Sequence, residues 1–206
     1  MKIRAVIFDF GGVLCFPPTP QQWQEAAAFA GTTDALQEAF WKHRLEYDAG
    51  GDAREYWTKV AGMLGVGFDE RTIQGMIERE IAFWSNFDRR VFNWANQLRS
   101  EGIRTAMLSN LPRPLGERLR AIPGFYDHFD HLTLSYELGV NKPDAAIYRH
   151  AIEGLRIQPG EGLFLDDRDD NVEGARAVGL HAEQFTTWEE FVRNQVGRYD
   201  LPKPAI

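Results

Sequence analysis

Cysteine is almost missing from this chain: Cys15 is the only one in 206 residues, which excludes an intrachain disulfide and fits a reducing, cytoplasmic setting. Long apolar runs are missing too. No segment approaches the roughly 20 residues that span a bilayer, which argues against a membrane protein. The N-terminal run Ile3–Phe8 follows Lys2 and Arg4 but ends in an acid, unlike a secretory signal with its small-residue cleavage site. Positive charge is short as well. Lys and Arg number 23 against 30 Asp and Glu, giving a formal charge of -7 and an isoelectric point near 5.3, with no basic cluster. Nucleic-acid affinity depends on clustered cations neutralising phosphates, so a nucleic-acid partner is not expected. Internal repeats and low-complexity tracts are also lacking, which removes solenoids and disordered tails.

What the chain does have is a hydrophobic content of 44%, enough for one substantial core with room for a smaller lobe. Ile3, Ala5, Val6, Ile7 and Phe8 form a run without polar alternation, as expected of a strand covered on both faces in a parallel sheet. It stops at Asp9, followed by Phe10, Gly11, Gly12 and Val13. Ligands of such sheets gather at the carboxyl ends of the strands. An acid there, beside glycines that admit close backbone approach, suits a nucleophile or a metal ligand, or else is an acidic turn after a core strand.

Phe16, Pro17, Pro18, Thr19 and Pro20 then break regular structure. Thr19 and Pro20 read as N-cap and first helical position of a helix over 21–30 that ends at Gly31. A second run from Thr33 carries Leu36, Phe40 and Leu45. Asp52 and Asp69 cap two more helices, the first with Tyr56, Trp57, Val60 and Leu64 on one face, the second with Ile73, Ile77 and Ile81. A helix from Asp88 to Gly102 hands over to a second strand, Ile103–Leu108. Further apolar stretches lie at Leu132–Leu134 and at Leu163–Leu165, the latter running into Asp166 and Asp167; His181–Phe185 is a candidate last strand. Helical segments fall at 145–155, 171–178 and 188–196. This alternation predicts an α/β fold with a doubly wound parallel sheet. The aromatic residues Trp23, Phe29, Phe40, Trp41, Trp57 and Trp84 are expected mainly to pack the helical lobe, with a few lining a cleft.

Polar groups follow apolar strands or precede helices at four places: Asp9; Ser109 with Asn110; Lys142; and Asp166 with Asp167. Gathered along one sheet edge, they have the complementary parts of an active site. Carboxylates suit a hard cation such as Mg2+, which prefers oxygen ligands and leaves positions for water and substrate phosphate. Lys142 adds a fixed positive charge, and the Ser109 hydroxyl with neighbouring backbone N–H groups suits phosphoryl oxygens.

Together Phe8-Asp9-Phe10-Gly11-Gly12-Val13-Leu14, Leu108-Ser109-Asn110, Asn141-Lys142-Pro143-Asp144 and Phe164-Leu165-Asp166-Asp167-Arg168 resemble the haloacid dehalogenase-like hydrolase superfamily, in order, spacing and strand context. The branch most resembled is that of the small sugar-phosphate phosphatases and the phosphatase domain of soluble epoxide hydrolase. The resemblance implies a Rossmann-like core over residues 1–15 and 88–206, with a small helical cap, 16–87, inserted after the first strand. It implies hydrolysis of a small phosphate ester, a sugar phosphate being one candidate, through an aspartyl phosphate on Asp9. Asp9, the Gly11 carbonyl and Asp167 would bind Mg2+, with Asp166 as ligand or supporting group. Ser109 and Asn110 would hold the phosphoryl group, Lys142 would stabilise Asp9 and the transferring charge, and Asn171 would orient the site.

One departure stands out. Most phosphatases of this family carry a second Asp two positions after the nucleophile as general acid, where this chain has Gly11. General acid catalysis contributes about two to four powers of ten, so another proton source or an easy leaving group is needed. His43, Arg44, Tyr47 and Asp48 are cap candidates near the cleft, or simply a solvated helix end. His128, His131, His150 and His181 show no metal-ligand spacing. Two other functions stay open: a metal-independent 2-haloacid dehalogenase, which Asp166 and Asp167 argue against because unneutralised acids impair a carboxylate nucleophile, and a non-catalytic phosphate-binding protein. Oligomeric state, monomer or homodimer, is open as well.

Overall fold

The computed structural model describes residues 2–33 and 35–204. Five short strands, β1 (Ala5–Phe8), β2 (Arg104–Ser109), β3 (His131–Leu134), β4 (Gly162–Asp166) and β5 (His181–Gln184), form one parallel sheet in the order β3-β2-β1-β4-β5. The chain steps outward from β1 to β2 and β3, then returns to place β4 on the other side of β1. The order of strands therefore reverses beside β1, where α/β sheets open a crevice for ligands.

Alternate residues of the same strands feed two separate cores, the signature of a sheet wound on both faces. Val6, Phe8, Met107, Leu163 and Leu165 pack with Val91, Trp94 and Leu98 of one helix and with Phe191 of another. Ala5, Ile7, Ala106, Leu108 and Phe164 pack with Ile147 and Tyr148, and with Val172 and Ala175. The fold is thus the expected Rossmann-like α/β architecture.

Between β1 and β2 the chain inserts α1 (Pro20–Phe29), α2 (Ala35–Lys42), α3 (Arg44–Asp48), α4 (Ala53–Met63) and α5 (Glu70–Phe83), then α6 (Arg89–Ser100), which returns to the sheet. The caps are those the sequence announces. Thr19 Oγ1 accepts from Gln22 N at 3.2 Å while Gln22 Oε1 accepts from Thr19 N at 2.9 Å, and Asp52, Asp69 and Asp88 accept from Glu55 N, Thr72 N and Arg90 N. After β2 come α7 (Arg113–Arg120), α8 (Ser135–Leu138), α9 (Ala145–Leu155), α10 (Asp169–Ala177) and α11 (Trp188–Asn194). None of the described helices is long and apolar enough to cross a membrane.

The inserted helices bury a core of their own around Trp23, Phe40, Tyr56, Trp57 and Met76. Trp23 packs on Phe83 at 4.6 Å between ring centroids, and Tyr47 stacks on Tyr56 at 4.1 Å. Ile77 and Trp84 touch both this cluster and the sheet core, and so join the two. The second run is one helix in the sequence reading and two in the structure. It breaks at His43, which lets Arg44 turn inward and leaves Leu45 exposed. The short α7 and α8 have no counterpart in that reading.

Candidate active site

Asp9, Ser109, Asp166 and Asp167 lie at or just past the end of a strand, and Lys142 lies in the loop before a helix. Asp9 follows β1, and its amide donates to Leu165 O of β4 at 2.9 Å, so the carboxylate sits between the two strands flanking the crevice. The turn after it is tight. Leu14 N and Cys15 N both donate to Phe10 O, and Gly12 takes φ +77°. A Cβ at Gly12 would come within 2.7 Å of the Asp167 carboxyl, so this position requires glycine on both conformational and steric grounds.

Lys142, in the loop before α9 and preceding a cis Pro143, is buried and joins two acids. Its Nζ lies 2.7 Å from Asp9 Oδ1 and 2.6 Å from Asp166 Oδ2, and it donates to Leu108 O at 3.4 Å. Asp166 is saturated. Its Oδ1 accepts from Arg168 N at 2.9 Å and Asn171 Nδ2 at 3.0 Å, and its Oδ2 takes Lys142. Asp9 Oδ1 also accepts from Phe10 N at 2.7 Å, while Asp9 Oδ2 has no hydrogen-bond donor among the described residues. One oxygen of Asp9 is therefore fixed and the other is left for chemistry.

Carboxylate oxygens of Asp9, Asp166 and Asp167 lie within 4.8 Å of one another. One lysine against three acids leaves excess negative charge. Burial, then Asp166, push Asp9 up to about 8 despite Lys142, and desolvation, then Asp166, push Asp167 up to about 6. The donor set is all oxygen and under-neutralised, which fits a hard divalent cation such as Mg2+. Among the described residues the Asp167 carboxylate takes no side-chain donor, so it and Asp9 are the acids best placed to hold the ion.

Ser109 ends β2 and is buried, its hydroxyl 3.5 Å from Asn110 O. The side chain of Asn110 is used otherwise than the sequence suggests. Its Nδ2 donates to Lys142 O at 3.0 Å and its Oδ1 accepts from Lys142 N at 2.8 Å. This two-way amide bond fixes the lysine's backbone, so Asn110 has only its main chain to offer an anion.

These groups open into a cleft of about 590 Å3 whose far side is formed by the inserted helices, with Trp23, Trp41, Arg44, Leu45, Asp48 and Trp84 among its walls. Of the four cap candidates, Arg44 and Asp48 reach the cleft; Tyr47 turns away to donate to Glu80 at 3.2 Å, and His43 borders a separate small hollow. Arg44 is buried between Asp48, whose Oδ1 is 2.8 Å from its Nε, and Glu80, and lies 4.6 Å from the Phe40 ring centroid. Glu80 is the residue that sequence reasoning misses; Trp84, grouped there with aromatics expected mainly to pack, packs on both cores and also lines the cleft. A signal for Glu80 exists, since it falls on the buried face of α5 with Ile73, Met76 and Phe83.

A family model described as haloacid dehalogenase-like hydrolase matches residues 3–179. The chain belongs to that family. Among curated relatives of this haloacid dehalogenase-like hydrolase, sesquiterpene phosphatase astK of Aspergillus oryzae is 27% identical over 179 residues, covering 86% of this chain and 87% of that one. D-ribitol-5-phosphate phosphatase of Bacteroides thetaiotaomicron is 27% identical over 194 residues, covering 88% and 91%. Bifunctional epoxide hydrolase 2 of Sus scrofa is 28% identical over 201 residues, which are 87% of this chain but only 36% of that longer protein. The fold is shared with a haloacid dehalogenase family enzyme of Bacteroides thetaiotaomicron solved with magnesium and inorganic phosphate (TM-score 0.72, 21% identity, 88% and 93% coverage). It is shared also with L-2-haloacid dehalogenase of Xanthobacter autotrophicus (TM-score 0.69, 24% identity, 95% and 83% coverage).

Proposed function

We propose that this haloacid dehalogenase-like hydrolase is an Mg2+-dependent phosphomonoesterase that works through a phosphorylated Asp9, with residues 1–15 and 88–206 as catalytic core and 16–87 as cap. The observation that carries this reading is the half-engaged Asp9: one oxygen pinned by Lys142 and Phe10 N, the other unpartnered beside Asp167. Asp9 Oδ2 attacks phosphorus, a P–O bond to Asp9 forms, and the ester P–O bond breaks with its electron pair passing to the leaving oxygen, which takes a proton from water. A second water then attacks phosphorus, the Asp9–phosphorus bond breaks with its electron pair returning to the carboxylate, inorganic phosphate is released, and the proton this water loses replaces the one taken by the leaving oxygen. Asp9, Asp167 and the Gly11 carbonyl would hold Mg2+, which would supply positive charge against the three carboxylates and the phosphate brought together here. Ser109 and the backbone N–H groups beside it bind phosphoryl oxygens, and Lys142 balances charge on Asp9. Asp166 acts through Lys142 and Asn171, which it positions, rather than on the substrate.

A metal-independent dehalogenase is disfavoured by Asp167, an acid without a protein cation of its own beside the nucleophile. The two phosphatase relatives point the same way. The deciding experiment is phosphate release from a broad panel of phosphomonoesters with Mg2+ and with chelator, beside Asp9→Asn. Release that requires Mg2+ and vanishes in the variant supports the assignment; release undiminished in the variant overturns it.

A further inference from the structure

The cleft above Asp9 has two unlike halves. Next to phosphorus lie the charged groups already described. Farther out the charged side chains are spoken for: Arg44 is paired with Asp48 and Glu80, and Arg168 is held by Asp170 through Nε at 3.1 Å and a terminal nitrogen at 2.8 Å. The surface left over is mainly apolar, formed by Pro17, Pro18, Trp41, Leu45, Trp84 and Leu115, with Gln37 and the Trp84 indole N–H as its polar groups. Two of these, Trp41 and Leu45, stand 44% and 65% exposed, an unusual condition for large hydrophobic side chains that face a cavity. Trp41 and Trp84 meet edge to face at 6.5 Å and form one continuous wall, and the Trp84 ring covers Gly11.

We propose that this half of the cleft binds an apolar leaving group, so that the substrate is the phosphate monoester of an extended aliphatic or aromatic alcohol and not of a sugar. The proposal rests on the phosphomonoesterase reading above and narrows its substrate class. A polyhydroxylated sugar in this place would lose water from several hydroxyls and find few protein groups to replace it, since the charged side chains are already bonded to one another and Gln37 alone cannot serve them all. An alkyl or aryl group instead takes Trp41, Leu45 and Trp84 out of water along with itself. Trp84 is thereby a specificity determinant.

The test is the rate of Mg2+-dependent phosphate release from n-butyl, n-hexyl and n-octyl phosphate and from glucose 6-phosphate. All leave as primary alkoxides, so leaving-group acidity is held nearly constant. The expected result is a kcat/KM that climbs about two- to fourfold per added methylene until the cleft is filled, with glucose 6-phosphate well below hexyl phosphate. Trp84→Ala and Trp41→Ala should flatten that climb, and Trp84→Phe should keep most of it. Trp41 is exposed, so its variant retains the fold and serves even where Trp84→Ala does not. Phosphate release with a flat series, or with glucose 6-phosphate equal to hexyl phosphate, overturns the substrate class alone. Absence of release from every ester overturns the phosphomonoesterase reading together with it.

Discussion

Trp84 stands where a side chain on residue 11 would begin: a Cβ built on Gly11 lies 3.1 Å from Trp84 Cζ3. The position at which the family resemblance leads one to expect an acid is therefore roofed by an indole. Gly11→Asp should fail to raise phosphate release, and Gly11→Ala should lower stability by roughly 1–3 kcal/mol through overpacking. In a double-mutant cycle read by urea denaturation, Trp84→Ala should relieve most of the Gly11→Ala cost. Faster turnover in Gly11→Asp would show that the ring yields and that an acid is tolerated there.

Asp9 is costly to the fold. It is buried with Asp166 around one lysine, with the more exposed Asp167 beside them, and its carboxyl is raised to about 8. In chelator at neutral to mildly alkaline pH, Asp9→Asn should melt a few degrees above the wild-type protein while losing activity, about 2–4 °C per kcal/mol for a chain of this size. Mg2+ should raise the wild-type melting temperature and move the variant less. A variant that melts lower in chelator would show that the Lys142 pair outweighs the crowding.

Asp48 makes stability depend on pH. Burial pushes its carboxyl up to about 6; Arg44 and Lys142 oppose this and Glu80 adds to it. Because the folded value lies above the ordinary 3.8, the folded state holds this proton more tightly. Its contribution is complete below about pH 4 and lost as pH rises through 6. The stability of wild type relative to Asp48→Asn should therefore fall between pH 4 and 7, by up to about 3 kcal/mol. Parallel pH profiles for the two proteins would refute this account.

Ser135 links the cleft loop to the inserted helices. Its hydroxyl donates to Asp48 O at 2.5 Å and accepts from Leu111 N at 2.9 Å. Ser135→Ala should cost about 1–3 kcal/mol, since it strands a buried carbonyl and a buried N–H at once. Calorimetric unfolding reads this directly; a change under about 0.5 kcal/mol would mean that water replaces the hydroxyl.

The sheet was legible in the sequence because strands covered on both faces are written as unbroken apolar runs, and all four runs that end at the crevice or flank it appear where expected. Asp9, Ser109, Lys142 and Asp166 were legible for the same reason, each marking the point where such a run or its return loop ends. The double use of the Asn110 amide was not, because a side chain clamping a backbone 32 positions away leaves no local trace. The break at His43 was hidden too: helical periodicity continues through it, and the cause, Arg44 turning toward Glu80, lies 36 positions away on α5. Trp84 was counted among aromatics expected mainly to pack, and only the approach of its ring to Gly11 reveals its place over the loop that follows Asp9.

Strand β1 is hydrogen-bonded along both edges and wholly buried, whereas Trp41, in α2, and Trp84, just past α5, are carried by helices with a smaller core of their own. The floor and the roof of the cleft therefore fall in different cooperative units of opening. Amide protons of Val6 to Phe8 should be among the last to exchange with solvent, and those of the inserted helices should exchange sooner. Should the roof open first, the organic part of a substrate would have a way in and out while the carboxylates below keep their places.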